Sequence, residues 1–153
     1  MQNLIAWLDA HRQHWFELLR MYLGVGLFVR GVLFASDPDL LGGFMSEGGF
    51  DASDVMIAHY VVGAHLCGGL MLAAGLLTRI AAAVQVPILL GAVLFVHQKD
   101  GLFTRSQNLE FTVFVLFVLL LIVAHGPGRW TLDWYLFVQP RLREQRQAVE
   151  HTV

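Results

Sequence analysis

Formal charges are absent from residues 55–78, 80–98 and 111–128. Within these windows polar side chains are too sparse to form the solvated stripe of a soluble amphipathic helix, which recurs every third or fourth position. Between residues 111 and 124 the only polar side chain is Thr112. A spanning helix needs about 20 mainly apolar residues, and each window meets that length. Residues 18–35 form a fourth apolar stretch whose only charges are Arg20 and Arg30. The pattern predicts spans at about residues 18–35, 55–77, 80–97 and 109–125. Helices are the expected form, because each unsatisfied backbone group in hydrocarbon costs several kcal/mol and only helices or closed barrels avoid that. Four such stretches do not close a barrel. The fold class is therefore all-α, an integral membrane four-helix bundle with N- and C-terminal interfacial helices, in a single domain over residues 1–153.

The breaks between the spans add detail. Only Thr78 and Arg79 interrupt the apolar text between the second and third spans, which predicts a tight antiparallel hairpin. Gly24, Gly31, Gly63, Gly68, Gly69 and Gly75 offer small surfaces across which membrane helices approach closely. Pro87 removes a hydrogen bond and is expected to bend the third span. Trp7, Trp15, Trp130, Trp134 and Tyr135 read as interfacial belts, with residues 1–16 and 130–138 as surface helices, the second ended by Pro140. The tail 141–153 reads as solvated and disordered. The segment 37–54 carries Gly42, Gly43, Gly48, Gly49 and five acids, and reads as a flexible connector placed to act as a lid.

Composition sharpens the class. Of 153 residues 56% are hydrophobic and 14% charged, against about 45–50% and about 25% in soluble domains. The net charge of −2 and the lack of a basic run argue against a nucleic-acid partner. Cys67, the one cysteine, closes no intrachain disulfide and builds no multi-thiolate metal site. Asp9, Arg12 and Glu17 precede any apolar run, unlike a cleaved signal peptide. Arg12, Arg20, Arg79, Arg129, Arg141, Arg143 and Arg146 fall on one side of the bundle, Lys99 and Arg105 on the other. By the positive-inside rule the first side, with both termini, is expected to be cytoplasmic.

Threading four spans up and down sorts the polar residues by depth. Arg30, His59, His97 and Glu110 collect at the extracytoplasmic end. His65 lies deeper, six residues after His59 and so about 240° around the helix. Arg20, Arg79 and His125 form a second group near the other end. Arg at a helix centre costs about 2.5–3.5 kcal/mol on insertion scales and faces a partner or a cavity. One reading pairs Arg30 with Glu110 as structural glue. Another makes Arg30, His59, His97 and Glu110 a polar, catalytic pocket for a small anion or a quinone head group, with Arg30, His59 and His65 in contact with the ligand. His65 is either an interhelical contact or the pocket floor. Haem b held by His59 and His97 is a further use of facing histidines; no c-type attachment motif is present.

The run Gly69-Leu-Met-Leu-Ala-Ala-Gly75-Leu-Leu-Thr78-Arg79 with its alanine-rich continuation, the run Gly126-Pro-Gly-Arg-Trp-Thr-Leu-Asp133, and Arg20-Met-Tyr-Leu-Gly24 followed by Arg30-Gly31 together resemble the DoxX family. The resemblance covers residues 20 to about 133. It implies a four-helix bundle in the prokaryotic cytoplasmic membrane and a link to redox chemistry, since members are similar to the small membrane subunit of thiosulfate:quinone oxidoreductase. By position, Arg20, Arg79, Glu110, Arg129 and Asp133 fall on family motif residues. Where the family often has an acid in the second span, this chain has His65. The expected function is a membrane subunit of a quinone-linked oxidoreductase, working beside a protein partner that supplies electrons; homo-oligomers are left open. The alternatives are a non-catalytic membrane anchor or assembly factor for a soluble oxidoreductase, and a bis-histidine haem protein.

Overall fold

A computed structural model describes residues 12–49, 55–96, 108–126, 128 and 131–142. Its first helix, α1, runs over Arg12–Ser36 and is followed by the short α2, Pro38–Glu47. Three further long helices are α3 (Val55–Ala74), α4 (Thr78–Val96) and α5 (Asn108–His125). A shorter helix, α6, follows over residues 132–142 with a π-turn at Trp134–Val138; it runs through Pro140 to residue 142 instead of ending at the proline as the sequence suggested. α1 (from His14), α3, α4 and α5 are long and apolar enough to cross a membrane, and no strand occurs among the described residues. Residues 12–16 continue the first span rather than forming a separate surface helix; residues 1–11, 97–107 and 143–153 lie outside the described set.

Burial within the bundle accounts for only 28–33% of each spanning window, and the outward faces are as oily as the inward ones. Phe111, Phe114, Phe117 and Leu121 of α5 are all exposed, opposite buried Val115, Val118, Leu119 and Ile122. A surface of that kind is stable against lipid and not against water.

α1 and α3 meet backbone to backbone. A Cβ placed on Gly31 would sit 2.7 Å from the Leu66 amide nitrogen, one on Gly69 would sit 2.9 Å from the Cα of Phe28, and Gly24 lies equally tight against Ala73. Where lipid removes the hydrophobic drive between helices, close van der Waals packing of this kind holds them together. Gly63 has open space where its Cβ would be and takes no part in the seam.

The α3–α4 hairpin closes in three residues. Gly75 ends α3 in the left-handed conformation (φ 73°), and Leu77 enters α4 with φ 46°, a conformation that costs a non-glycine residue energy. Asp133 secures this bend. Its Oδ1 accepts from the Leu77 amide at 2.6 Å and its Oδ2 from the Thr78 amide at 2.8 Å, while its own amide donates to Gly75 O at 3.0 Å. A carboxylate taking two amides at a helix N-terminus makes strong, charge-assisted bonds.

The expected flexible connector is in part a helix. Asp37 accepts from the amides of Asp39 and Leu40, each at 3.1 Å, and Pro38 stands at the first helical position. Asp-Pro is a start signal strong enough to begin α2 despite Gly42 and Gly43. Met45 is buried, and Phe44 packs on Phe34 of α1 with ring centroids 5.5 Å apart. Pro87 lies inside α4, and one residue beyond the carbonyl it releases the Tyr60 hydroxyl donates to Val84 O at 2.9 Å.

The seam makes a direct prediction. Gly69→Val is expected to abolish the stable monodisperse fold in detergent, because backbone on α1 blocks the added carbons. Gly63→Val is expected to keep its thermal midpoint within a few degrees of the native chain. Equal tolerance of both substitutions would contradict the close approach.

Candidate functional site

The seam at Gly31 presses the C-terminal half of α1 against a local irregularity in α3. Residues Ala64–Gly68 form a π-turn, one residue wider than an α-turn and often found where function demands a displaced side chain. Two side-chain bonds hold it. Gln85 of α4, fully buried, donates Nε2 to Ala64 O at 2.7 Å, and His65 donates Nδ1 to Val61 O at 2.9 Å. Because a carbonyl only accepts, the proton sits on Nδ1, and in the neutral ring Nε2 is left as a lone-pair acceptor.

His65 is 3% exposed and meets the ring of Phe34 edge-on, with centroids 5.7 Å apart. On Phe34 the Arg30 guanidinium lies 5.1 Å from the ring centroid, within the range of a cation–π contact. Arg30, Phe34 and His65 therefore form one stacked group. They face a cavity of about 310 Å³ bounded also by Ile88 and Ala92 of α4 and by Thr112 of α5, with Phe44 of α2 beside it. The Thr112 hydroxyl donates to Asn108 O at 2.7 Å, and among the described lining residues the cation is Arg30 and the imidazole His65. The rim carries Tyr22, Leu33 and Phe111, all exposed on α1 and α5, and in a bilayer that flank faces lipid.

The structure brings together Arg30 and His65 of the residues singled out by sequence. His59 is exposed, donates Nδ1 to Val55 O at 2.7 Å and does not line the cavity. Glu110 is half-buried at the start of α5 and is not part of the cavity wall. Among the described residues Arg30 makes no ion pair, and its guanidinium rests on Phe34 in place of the expected contact with Glu110. His97, and with it the His59–His97 arrangement proposed for haem, lies outside the described residues. Among the described residues no three His, Cys, Asp or Glu side chains gather as metal ligands. Gln85 and Phe34 were missed in the sequence; a lone amide in a charge-free span was the available signal for Gln85.

At the opposite end the second polar group is structural. Arg20, 2% exposed, donates to Leu72 O and, at 3.1 Å, to Ala73 O. It lies in the electrostatic field of Glu17 and Asp133, themselves 3% and 6% exposed. Buried charges that compensate one another and take up helix-end carbonyls pin elements together. Arg79 reaches Ala124 O at 3.5 Å beside Gly126, and Thr131 donates to Gly128 O at 2.6 Å. The described residues of the motif thus lie against the hairpin and α1: Gly126 beside Arg79, Gly128 beside Glu17, Thr131 beside Gly75, and Asp133 on the Leu77 and Thr78 amides.

Gln85→Leu would leave the Ala64 carbonyl buried without its partner, at a cost of about 1–3 kcal/mol. The expected result is a lower thermal midpoint together with a shifted His65 ring signal in nitrogen NMR. An unmoved His65 signal would mean that Gln85 does not hold the π-turn.

The DoxX family profile matches residues 16–98, more than half of the chain. No curated protein and no solved structure shows a significant match. The matched segment contains Arg20, Arg30, His65 and Gln85, and ends before the 126–133 motif.

Proposed function

The chain belongs to the DoxX family, and from that premise we propose that it is the membrane subunit of a quinone-linked oxidoreductase, with the quinone head group in the Arg30–His65 cavity. The observation that carries this reading is one polar cluster on the wall of an otherwise apolar cavity that reaches the lipid-facing flank. At about 310 Å³ it lies at the lower end of the usual range for small-molecule sites, roughly 300–1,000 Å³. Flat aromatic walls from Phe34 and Phe44 suit a planar ring.

When bound, a quinone supplies a lipid-soluble carrier of two electrons and two protons. Arg30 places a permanent positive charge where a carbonyl oxygen gains electron density. His65, oriented by its Nδ1 bond to Val61, presents Nε2 to give or accept a proton. Phe34 fixes the spacing between the two. Electrons come from a partner oxidoreductase, which the arginine-bearing end is suited to receive through exposed Arg79 and Arg141. By charge bias that end faces the cytoplasm of a prokaryotic cell, with both termini inside. The same exposed arginines are what a non-catalytic anchor would use, and the two readings part at the cavity.

Arg30→Gln and His65→Leu are each expected to weaken quinone binding by about tenfold or more, equivalent to about 1.4 kcal/mol, Arg30→Gln with its thermal midpoint retained and His65→Leu with a lowered one, because it also removes a bond that holds the π-turn. His59→Leu is expected to bind as the native chain does. Titration of a quinone into nanodisc-embedded protein, followed by tryptophan quenching, measures all three. Undiminished binding in both cavity variants favours the anchor, and a loss confined to His59→Leu moves the site to the rim.

A further inference from the structure

A second cavity of about 140 Å³ adjoins the first. Phe44, Ile88 and Ala92 line both, so the two share a wall made by α2 and α4. Beyond that wall the second cavity is bounded by Met45, Ile57, Val96, Gly91 and Tyr60. Its one hydroxyl, that of Tyr60, is spent on Val84 O, so nothing in it calls for a polar ligand. An apolar space of this kind stays dry and gains from being filled with hydrocarbon. Gly91 adds to the room, since nothing lies within 4 Å of where its Cβ would be.

Resting on the quinone reading of the first cavity, we propose that the second cavity receives the isoprenoid tail, so that the ligand is a tailed lipid quinone rather than a water-soluble anion or a bare head group. The adjacency of the two spaces, which have Phe44, Ile88 and Ala92 in common, carries this. A polar cluster on one side of the Phe44–Ile88–Ala92 wall and an apolar recess on the other match a molecule with a polar ring joined to a branched hydrocarbon chain. α2 then has a defined role, in which Phe44 separates head from tail and neighbouring Met45 closes over the chain. Within the segment read as a lid from its glycines, the helix Pro38–Glu47 places Phe44 and Met45 beside the junction.

The test uses the full-length protein in nanodiscs with two probes, a farnesyl-substituted benzoquinone and its methyl-substituted counterpart. Affinities are expressed per concentration in the bilayer so that partitioning does not enter. The native chain is expected to prefer the farnesyl probe by roughly fivefold or more. Gly91→Leu, which fills the recess from α4, is expected to erase that preference while leaving methyl-probe affinity unchanged. Ile57→Phe, which fills it from α3, is expected to do the same and guards against a folding artefact of one variant. Equal affinity of the native chain for both probes, or a preference that survives both substitutions, overturns the tail site while leaving the head-group reading intact. Displacement of a co-purifying phospholipid by Gly91→Leu with no change in probe preference assigns the recess to an acyl chain and likewise overturns it. Failure of the native chain to bind either probe removes the quinone reading itself, and the tail site with it.

Discussion

The absence of side chains at Gly24, Gly31 and Gly69 is the constraint on which the rest of the molecule depends. It allows α1 to lie on α3 at backbone distance. Contact that close sets both ends of the pair at once. At one end it brings the Arg20 guanidinium onto the carbonyls of Leu72 and Ala73. At the other it seats Gly31 against the backbone of His65 and Leu66, so that Arg30, one residue away, shares Phe34 with the His65 ring. A methyl group at any of the three positions would separate the helices and disperse the cluster. In a bilayer, where apolar side chains gain little by leaving lipid for one another, no hydrophobic collapse would repair the gap.

The two polar groups divide the labour. The Arg20, Glu17 and Asp133 group is buried, mutually compensated and bonded to backbone, as expected of pins that hold α1, the hairpin and the start of α6 together. The Arg30 and His65 group is left with capacity. Arg30 rests on an aromatic face with no carboxylate beside it among the described residues, and His65 uses one ring nitrogen on its own helix. Arg30 is exposed beside the cavity, and a cation at membrane depth is stabilised further by a ligand carrying electron density, which is why we propose the ligand site at this end.

Much of the architecture was legible in the sequence because the bilayer allows few alternatives. Charge-free windows of the required length marked α3, α4 and α5, and the short interval at Thr78 and Arg79 marked the hairpin. Depth followed from counting residues along each span. Azimuth did not, because it depends on which faces pack, and in α3 the π-turn shifts the register between His59 and His65 so that a uniform 100° step no longer applies. His59 and Glu110 were therefore grouped with Arg30 by height alone, whereas packing selects His65. α2 was obscured by glycines that outweighed its Asp37-Pro38 start. The motif 126–133 stood out as text, but the structural role of its last residue becomes visible only when Asp133 is found on the Leu77 and Thr78 amides, more than 50 residues back along the chain.

Photolabelling with an azido-substituted quinone in native-like bilayers, followed by mapping of the modified peptides, tests the central claim most directly. The account predicts label on residues around Arg30 to Phe34, with a second site of attachment around Ile88 to Ala92 of α4, suppressed by excess unlabelled quinone. Label that accumulates instead around His59, or that spreads over the lipid-facing residues of α5 without competition, would contradict it.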